Sequence, residues 1–112
     1  MYDLTYRPRR LRTSPEMRDL VRETTLDTTD LIYPLFIVPG EGIKKEIDTL
    51  PGQYHLSVDE AVKVAQEAYD LGIRGVEIFG IPTYKDEQGS SAWDMEQPVQ
   101  QAIKAIREAV PN

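Results

Sequence analysis

Cysteine is absent from the 112 residues, histidine occurs once, and no apolar run is long enough to cross a bilayer. The first absence excludes a disulfide framework and any thiolate-bound metal within this stretch. The second leaves His55 with no second histidine or cysteine to share a metal, so a surface or turn histidine is expected there. The third excludes a transmembrane helix, and no membrane partner is expected. The opening Met1-Tyr2-Asp3-Leu4 lacks the basic-then-apolar order of a secretory leader. A cytoplasmic location is therefore the expectation. Glycine-rich phosphate loops of the required spacing are also missing.

Charge is plentiful but unevenly spread. Arg7, Arg9, Arg10, Arg12, Arg18 and Arg22 face only Asp3, Glu16 and Asp19 within residues 1–22, a net of +3 that leaves −9 for the rest. A basic arm on an acidic body suits contact with phosphates or docking on an acidic surface, including that of an identical subunit.

Residues 1–30 lack long apolar periodicity and read as an arm with one short helix. Ser14-Pro15 is its start, because proline at the first helical position gives up an N–H that has no partner there. Met17, Leu20 and Val21 form a narrow apolar stripe. Leu31 to Val38 is a continuous apolar run of strand length, suited to a parallel strand buried on both faces. Pro34 cannot donate to a ladder, which places the regular strand mainly at Leu35–Val38. A loop is expected from Pro39 to about Leu56, with Leu50-Pro51-Gly52 as its turn.

Ser57 and Glu60 have capping-box spacing. Ala61, Val64, Ala65, Ala68 and Leu71 recur at helical spacing, and Gly72 supplies a stop, predicting a helix over 58–71. Gly75 to Phe79 is a short strand. A long polar connection runs from Ile81 to Gln97, and connections of that length are more often functional than merely structural. Pro98 opens a second helix with Val99, Ala102, Ile103, Ile106 and Val110 on one face, stopped by Pro111. The order arm, β, α, β, α predicts a parallel α/β fold in which a third strand should follow. Residues 31–112 thus read as the first two β/α units of a (β/α)8 barrel, left incomplete in this chain, since a barrel needs about 250 residues.

Reactive side chains are sparse. Lys44 and Lys45 are expected in a polar loop, and Lys63 and Lys104 on the outer faces of helices. Lys85 alone lies after the C-terminal end of a strand, where barrel enzymes assemble their sites. Its neighbours Asp86 and Glu87 favour a protonated, solvated amine over a nucleophile. Glu77, a carboxylate inside a strand, is expected to pair with a cation or to lie near a barrel mouth. Ser90 and Ser91 have no base at defined spacing. No catalytic, substrate-binding or metal-ligating residue is assigned within this chain.

Several stretches together resemble the N-terminal part of the porphobilinogen synthase (5-aminolevulinic acid dehydratase) family. They are Arg7-Pro8-Arg9-Arg10-Leu11-Arg12 with Ser14-Pro15, Asp30-Leu31-Ile32-Tyr33-Pro34-Leu35-Phe36, Leu50-Pro51-Gly52, Leu71-Gly72-Ile73, Phe79-Gly80-Ile81-Pro82 and Lys85-Asp86-Glu87-Gln88-Gly89-Ser90. The resemblance runs from about Tyr6 to Asn112. It implies a (β/α)8 barrel with an N-terminal arm, and a lyase that condenses two molecules of 5-aminolevulinate into porphobilinogen with loss of water, in tetrapyrrole biosynthesis. It also implies Schiff-base lysines, substrate arginines and zinc or magnesium ligands on later strands, none of which falls on a position of this sequence. This piece alone is therefore expected to be inactive. The family's arm grasps a neighbouring subunit, which implies a homo-oligomer formed through the arm.

Two other readings compete. The chain could be a non-catalytic module that self-associates or binds a partner through the arm and open sheet edges. Nucleic-acid binding by the six arginines ranks last, because the body is acidic and the arm offers only Tyr2 and Tyr6 for stacking.

Overall fold

A computed structural model describes residues 5–111; Met1 to Leu4 of the arm and Asn112 lie outside the described residues. Ahead of the sheet come a 3-10 turn at Arg10–Arg12, a helix α1 at Pro15–Leu20 and a 3-10 turn at Thr28–Asp30. Ser14 caps α1 by accepting the Met17 N–H at 3.2 Å, with Pro15 in the first position, as the sequence predicts. The apolar stripe of α1 has no cover, and Leu20 and Val21 are exposed. The Cα radius of gyration is 21.3 Å, against about 13 Å for a compact chain of about a hundred residues. Accessible surface tells the same story: 9119 Å², where a compact monomer of this mass exposes about 6,300 Å².

The sheet has the order β2-β3-β1-β4, with β1 at Ile32–Ile37, β2 at Lys44–Ile47, β3 at Leu50–Leu56 and β4 at Gly75–Gly80. Strands β1 and β4 run parallel from Ile32↔Gly75 to Ile37↔Gly80. Helix α2, Val58–Asp70, lies between β3 and β4 in the chain, and α3, Pro98–Ala109, follows β4. The parallel β-α-β-α order predicted from the sequence is present.

Strand β1 begins three residues earlier than Pro34 had suggested. In a parallel ladder successive residues turn their N–H and C=O alternately to one neighbour and the other. Val38 donates to Leu56 of β3 at 2.8 Å, and the Ile37 carbonyl accepts from Ile81, beyond β4, at 2.8 Å. By that alternation Pro34 faces the β3 side, where pairing starts only at Phe36↔His55. Its missing donor falls where no partner strand is waiting.

The predicted loop up to Leu56 is instead the hairpin β2–β3. Lys44 and Lys45 are strand residues, and His55 is in a strand rather than a turn. The chain reverses at Asp48-Thr49, between the paired Ile47 and Leu50. Leu50-Pro51-Gly52 belongs to β3, where the register jumps from Glu46↔Tyr54 to Ile47↔Leu50. Gly52 takes φ +82° within this irregularity, and its N–H donates to Glu46 Oε1 at 2.8 Å. Proline and glycine marked a bulge, not a turn between elements. The charged strand β2 forms the sheet edge, which discourages pairing with another chain.

Helix α2 ends as predicted, with Leu71 as its C-cap and Gly72 at φ +95°. Ile73 donates to the Ala68 carbonyl and Gly72 to that of Tyr69, both at 3.0 Å, the paired closure that a left-handed glycine permits. A Cβ on Gly72 would meet Thr28 Oγ1 at 2.7 Å, so the last turn of the arm rests against the end of α2. The predicted capping box at the other end is not formed. Ser57 is the N-cap but has no side-chain bond to the helix backbone N–H groups. Its Oγ instead accepts the Ile43 N–H at 2.9 Å and donates to Asp59, while Glu60 accepts from Lys63 at 2.8 Å. A passing loop has taken over the capping hydroxyl.

The core lies between the sheet and the two helices. Leu35, Ile37 and Leu56 from the strands meet Ala61 and Ala65 of α2 and Ala102 of α3. Alanine at these positions lets the helices approach closely. Two residues of the predicted apolar stripes fall outside it: Leu71 is 72% exposed and Ile103 47%. Leu71 sits at the cap, turned away from the sheet, and Ile103 lies on the flank of α3. Among the described residues no helix covers the other face of the sheet, where Ile32 is exposed.

Candidate functional site

Parallel α/β sheets place ligands beyond the C-terminal ends of their strands, where the loops and helix N-termini converge. In this chain that end gathers Phe36 and Ile37 of β1, His55 of β3, Phe79–Gly80 of β4 and the loops that follow β1 and β4. Alternation decides which side chains look away from the helices. Tyr33, Leu35 and Ile37 point to the helices, and Ile32, Pro34 and Phe36 point to the open face. The pairings place Lys45, His55, Phe36 and Phe79 in one row across all four strands. Phe36 stacks on Phe79 with ring centroids 5.4 Å apart, and the His55 ring stands edge-on to Phe36 at 6.4 Å. The result is an aromatic floor flanked by one imidazole and one amine.

Glu77 occupies the next position down the open face, paired in register with Pro34. It is exposed, and it belongs to neither of the two ion pairs among the described residues, Arg22–Asp19 and Lys63–Glu60. Of the two expectations for Glu77, the ion pair is not formed among the described residues; the carboxylate stands on the open face, where solvation replaces pairing.

Two loops form the rim. The first, after β1, turns through Gly40 and Gly42, both at positive φ. It is fastened to the start of α2. The Gly42 N–H donates to both Asp59 oxygens at 3.0 and 3.2 Å, and Ile43 exchanges backbone and side-chain bonds with Ser57. The Ser57 hydroxyl, and then the Gly42 N–H, hold the Asp59 carboxyl below the usual carboxylate range. The second loop runs from Ile81 to Gln97. Its Asp86 is likewise held low, first by the Ser90 N–H, and Asp94 by the Glu96 N–H. Tyr84 is pushed up by desolvation and by its bond to Asp94.

Lys85 lies exposed in this loop, in neither of the two ion pairs. Lys63 and Lys104 are exposed on α2 and α3, and Ser90 and Ser91 form part of a short 3-10 turn. Lys63 is paired with Glu60, and the Ser90 side chain bonds to the Asp86 carboxylate, which it helps hold low. Among the described residues no group of three or more histidines, aspartates or glutamates is arranged to hold a metal ion. No helix among them is long and apolar enough to cross a membrane. The arrangement offers an apolar surface with polar groups at its edge. Phe36 and Phe79 were not singled out from the sequence. The signal that would have found them is the alternation inside Leu31 to Val38 and Gly75 to Gly80, once both runs are known to be parallel neighbours.

A sequence model of the delta-aminolevulinic acid dehydratase family matches residues 5–112. The delta-aminolevulinic acid dehydratase of Synechococcus elongatus is 55% identical over 108 residues, covering 96% of this chain and 33% of that protein. That of Ruminiclostridium josui is 50% identical over 106 residues, covering 95% of this chain and 52% of that protein. The chain thus spans between a third and a half of the length of these relatives. A crystal structure of the Toxoplasma gondii enzyme, in complex with its reaction product porphobilinogen, superposes with a TM-score of 0.80 at 32% identity. It covers 96% of this chain and 31% of that one.

Proposed function

The chain belongs to the delta-aminolevulinic acid dehydratase family, and from that premise we propose that it supplies the first two β/α units of a porphobilinogen synthase. The complete enzyme condenses two molecules of 5-aminolevulinate into porphobilinogen with loss of water. The single observation that carries this reading is the unbroken family match over residues 5–112. The one-sided sheet supports it: helices cover one face and the aromatic row occupies the face that a closed barrel turns inward.

In this reading Phe36 and Phe79 form part of the apolar floor beneath the reacting substrates. The loops after β1 and β4 form a sector of the rim, and Asp59 and Ser57 keep the first loop in place. Amine nucleophiles, substrate-carboxylate partners and any zinc or magnesium are assigned in this reading to the remainder of the enzyme, as the family resemblance implies. Lys85, solvated and beside two carboxylates, is not a substitute for them.

The purified 112-residue chain, given 5-aminolevulinate with zinc or magnesium, is expected to form no porphobilinogen. Turnover that survives repurification would contradict this. A chimera in which residues 5–112 replace the matching third of the Synechococcus elongatus enzyme is expected to be active.

The arm fits a homo-oligomeric contact. It leaves Leu11, Leu20 and Leu26 exposed, carries a net positive charge, and extends from an acidic body. Removing the segment that matches residues 1–22 from the chimera should lower the mass measured by light scattering; an unchanged assembly would sink the idea. Self-association of the isolated chain is the second reading, favoured by Ile32, 67% exposed on the uncovered face.

A further inference from the structure

We propose that Gln97 is a positioning residue that latches the loop from Ile81 to Gln97 closed over the C-terminal end of β4. The loop is long, and its one regular feature is the short turn at Ser90–Ala92. Segments of that kind are ordinarily mobile. This one is tied at both ends to a single side chain. Gln97 is 6% exposed, one of two buried polar residues among those described. Its Oε1 accepts the Thr83 N–H at 3.0 Å and the Thr83 hydroxyl at 3.1 Å. Its Nε2 donates to Thr83 Oγ1 at 3.0 Å and to Asp94 Oδ2 at 3.3 Å.

A carboxamide can make four hydrogen bonds, and here all four are spent within the loop it terminates. Burial makes them count, since a buried amide left unpaired is costly. Asp94 passes the connection on to the Tyr84 hydroxyl at 3.2 Å, so the strand-proximal and helix-proximal halves are joined twice. The next turn of α3 adds fasteners: Gln100 donates to the Ala92 carbonyl and Gln101 to that of Met95. The root of the loop is fixed as well, because Ile81 donates to the Ile37 carbonyl of β1. A residue whose backbone starts α3 thus sets with its side chain the shape of the rim beside the aromatic floor.

The loop shape follows from these contacts alone; its effect on catalysis rests on the porphobilinogen synthase reading. The test therefore has two readouts. Gln97→Met keeps the bulk and removes all four bonds, and Thr83→Val removes only those through the hydroxyl, from an exposed position. Hydrogen exchange of amides 83–96 in the chain should accelerate about tenfold or more in Gln97→Met and less in Thr83→Val, while α2 amides from Ala61 to Ala68 stay unchanged. In the active chimera, Gln97→Met should lower kcat/KM about tenfold, with most of the change in KM, as expected when substrate is held by a misplaced rim. Unaltered exchange in both variants would overturn the latch. Faster loop exchange with unaltered kcat and KM would overturn the positioning role. Faster loop exchange in a chimera that is inactive even with Gln97 intact would uphold the latch and count against the catalytic reading instead.

Discussion

Replacing Ile37 with alanine should cost the fold about 2–5 kcal/mol, the range found when a fully buried isoleucine or leucine is cut to alanine. Ile37 is 0% exposed and sits at the crossing of everything that defines the body. Its backbone is paired with Leu56 on one side and Gly80 on the other. Its side chain belongs to the cluster of Leu35, Leu56, Ala61, Ala65 and Ala102. That cluster draws on two strands and two helices but on few large side chains, and the alanines that surround Ile37 cannot extend to refill the space. Most of the cavity should therefore persist. Ile37→Val, which removes one methyl group, should cost about 0.5–1.5 kcal/mol. Denaturant midpoints at constant m-value would measure both. A cost for Ile37→Ala below that of Ile37→Val would show that the core does not lie on this face.

Gly80→Ala is the second large effect, and it acts by overpacking. A Cβ at Gly80 would overlap Val99 Cγ2 and lie 3.5 Å from Val99 Cβ, so the first turn of α3 occupies the space a side chain would need. The helix must move off the end of β4, at a cost of about 1–3 kcal/mol. Pruning the partner distinguishes a clash from a backbone effect. Gly80 is not at positive φ, so the double variant Gly80→Ala/Val99→Ala should recover much of what the single change loses. If the costs of the two changes simply add, the close approach of strand and helix is not what glycine provides here.

The sequence carried some of this plainly and hid the rest for physical reasons. Helix α2 was legible because Ala61, Val64, Ala65 and Ala68 recur at helical spacing over about two turns and Gly72 closes the helix. The β1–β4 pair was legible because two apolar runs flank one amphipathic helix. The hairpin β2–β3 was not: Lys44–Ile47 is short and mostly charged, and the pairing that makes it a strand lies across a turn without a glycine. Proline misled twice. At Pro34 the missing donor falls where no partner strand is paired, and at Pro51 the chain bulges without leaving the sheet. Both outcomes depend on which neighbour a backbone group faces, a property of pairing that no local pattern displays. Ser57 and Glu60 have the right spacing for a capping box, but Ile43 and Asp59 compete successfully for the serine hydroxyl.

Little of the site was legible residue by residue. The expectation that this chain supplies no nucleophile rests on the polar, acidic neighbours of Lys85 and on the lack of a base at defined spacing from Ser90 and Ser91; in the structure Ser90 bonds to Asp86, a contact that spacing alone did not display. The aromatic row was invisible to residue-by-residue scrutiny, because Phe36, His55 and Phe79 become neighbours only through register. Gln97 looked like an ordinary polar residue before a helix-starting proline. Nothing in its local sequence says that its carboxamide is buried or that Thr83, fourteen residues earlier in the chain, is its partner.

Porphobilinogen formation by the chimera carrying residues 5–112 in the Synechococcus elongatus enzyme tests the central claim most directly. Product from 5-aminolevulinate is expected at a rate within about tenfold of the parent enzyme, a difference of about 1.4 kcal/mol in barrier. A chimera that folds and assembles like its parent, yet makes no porphobilinogen, would contradict it.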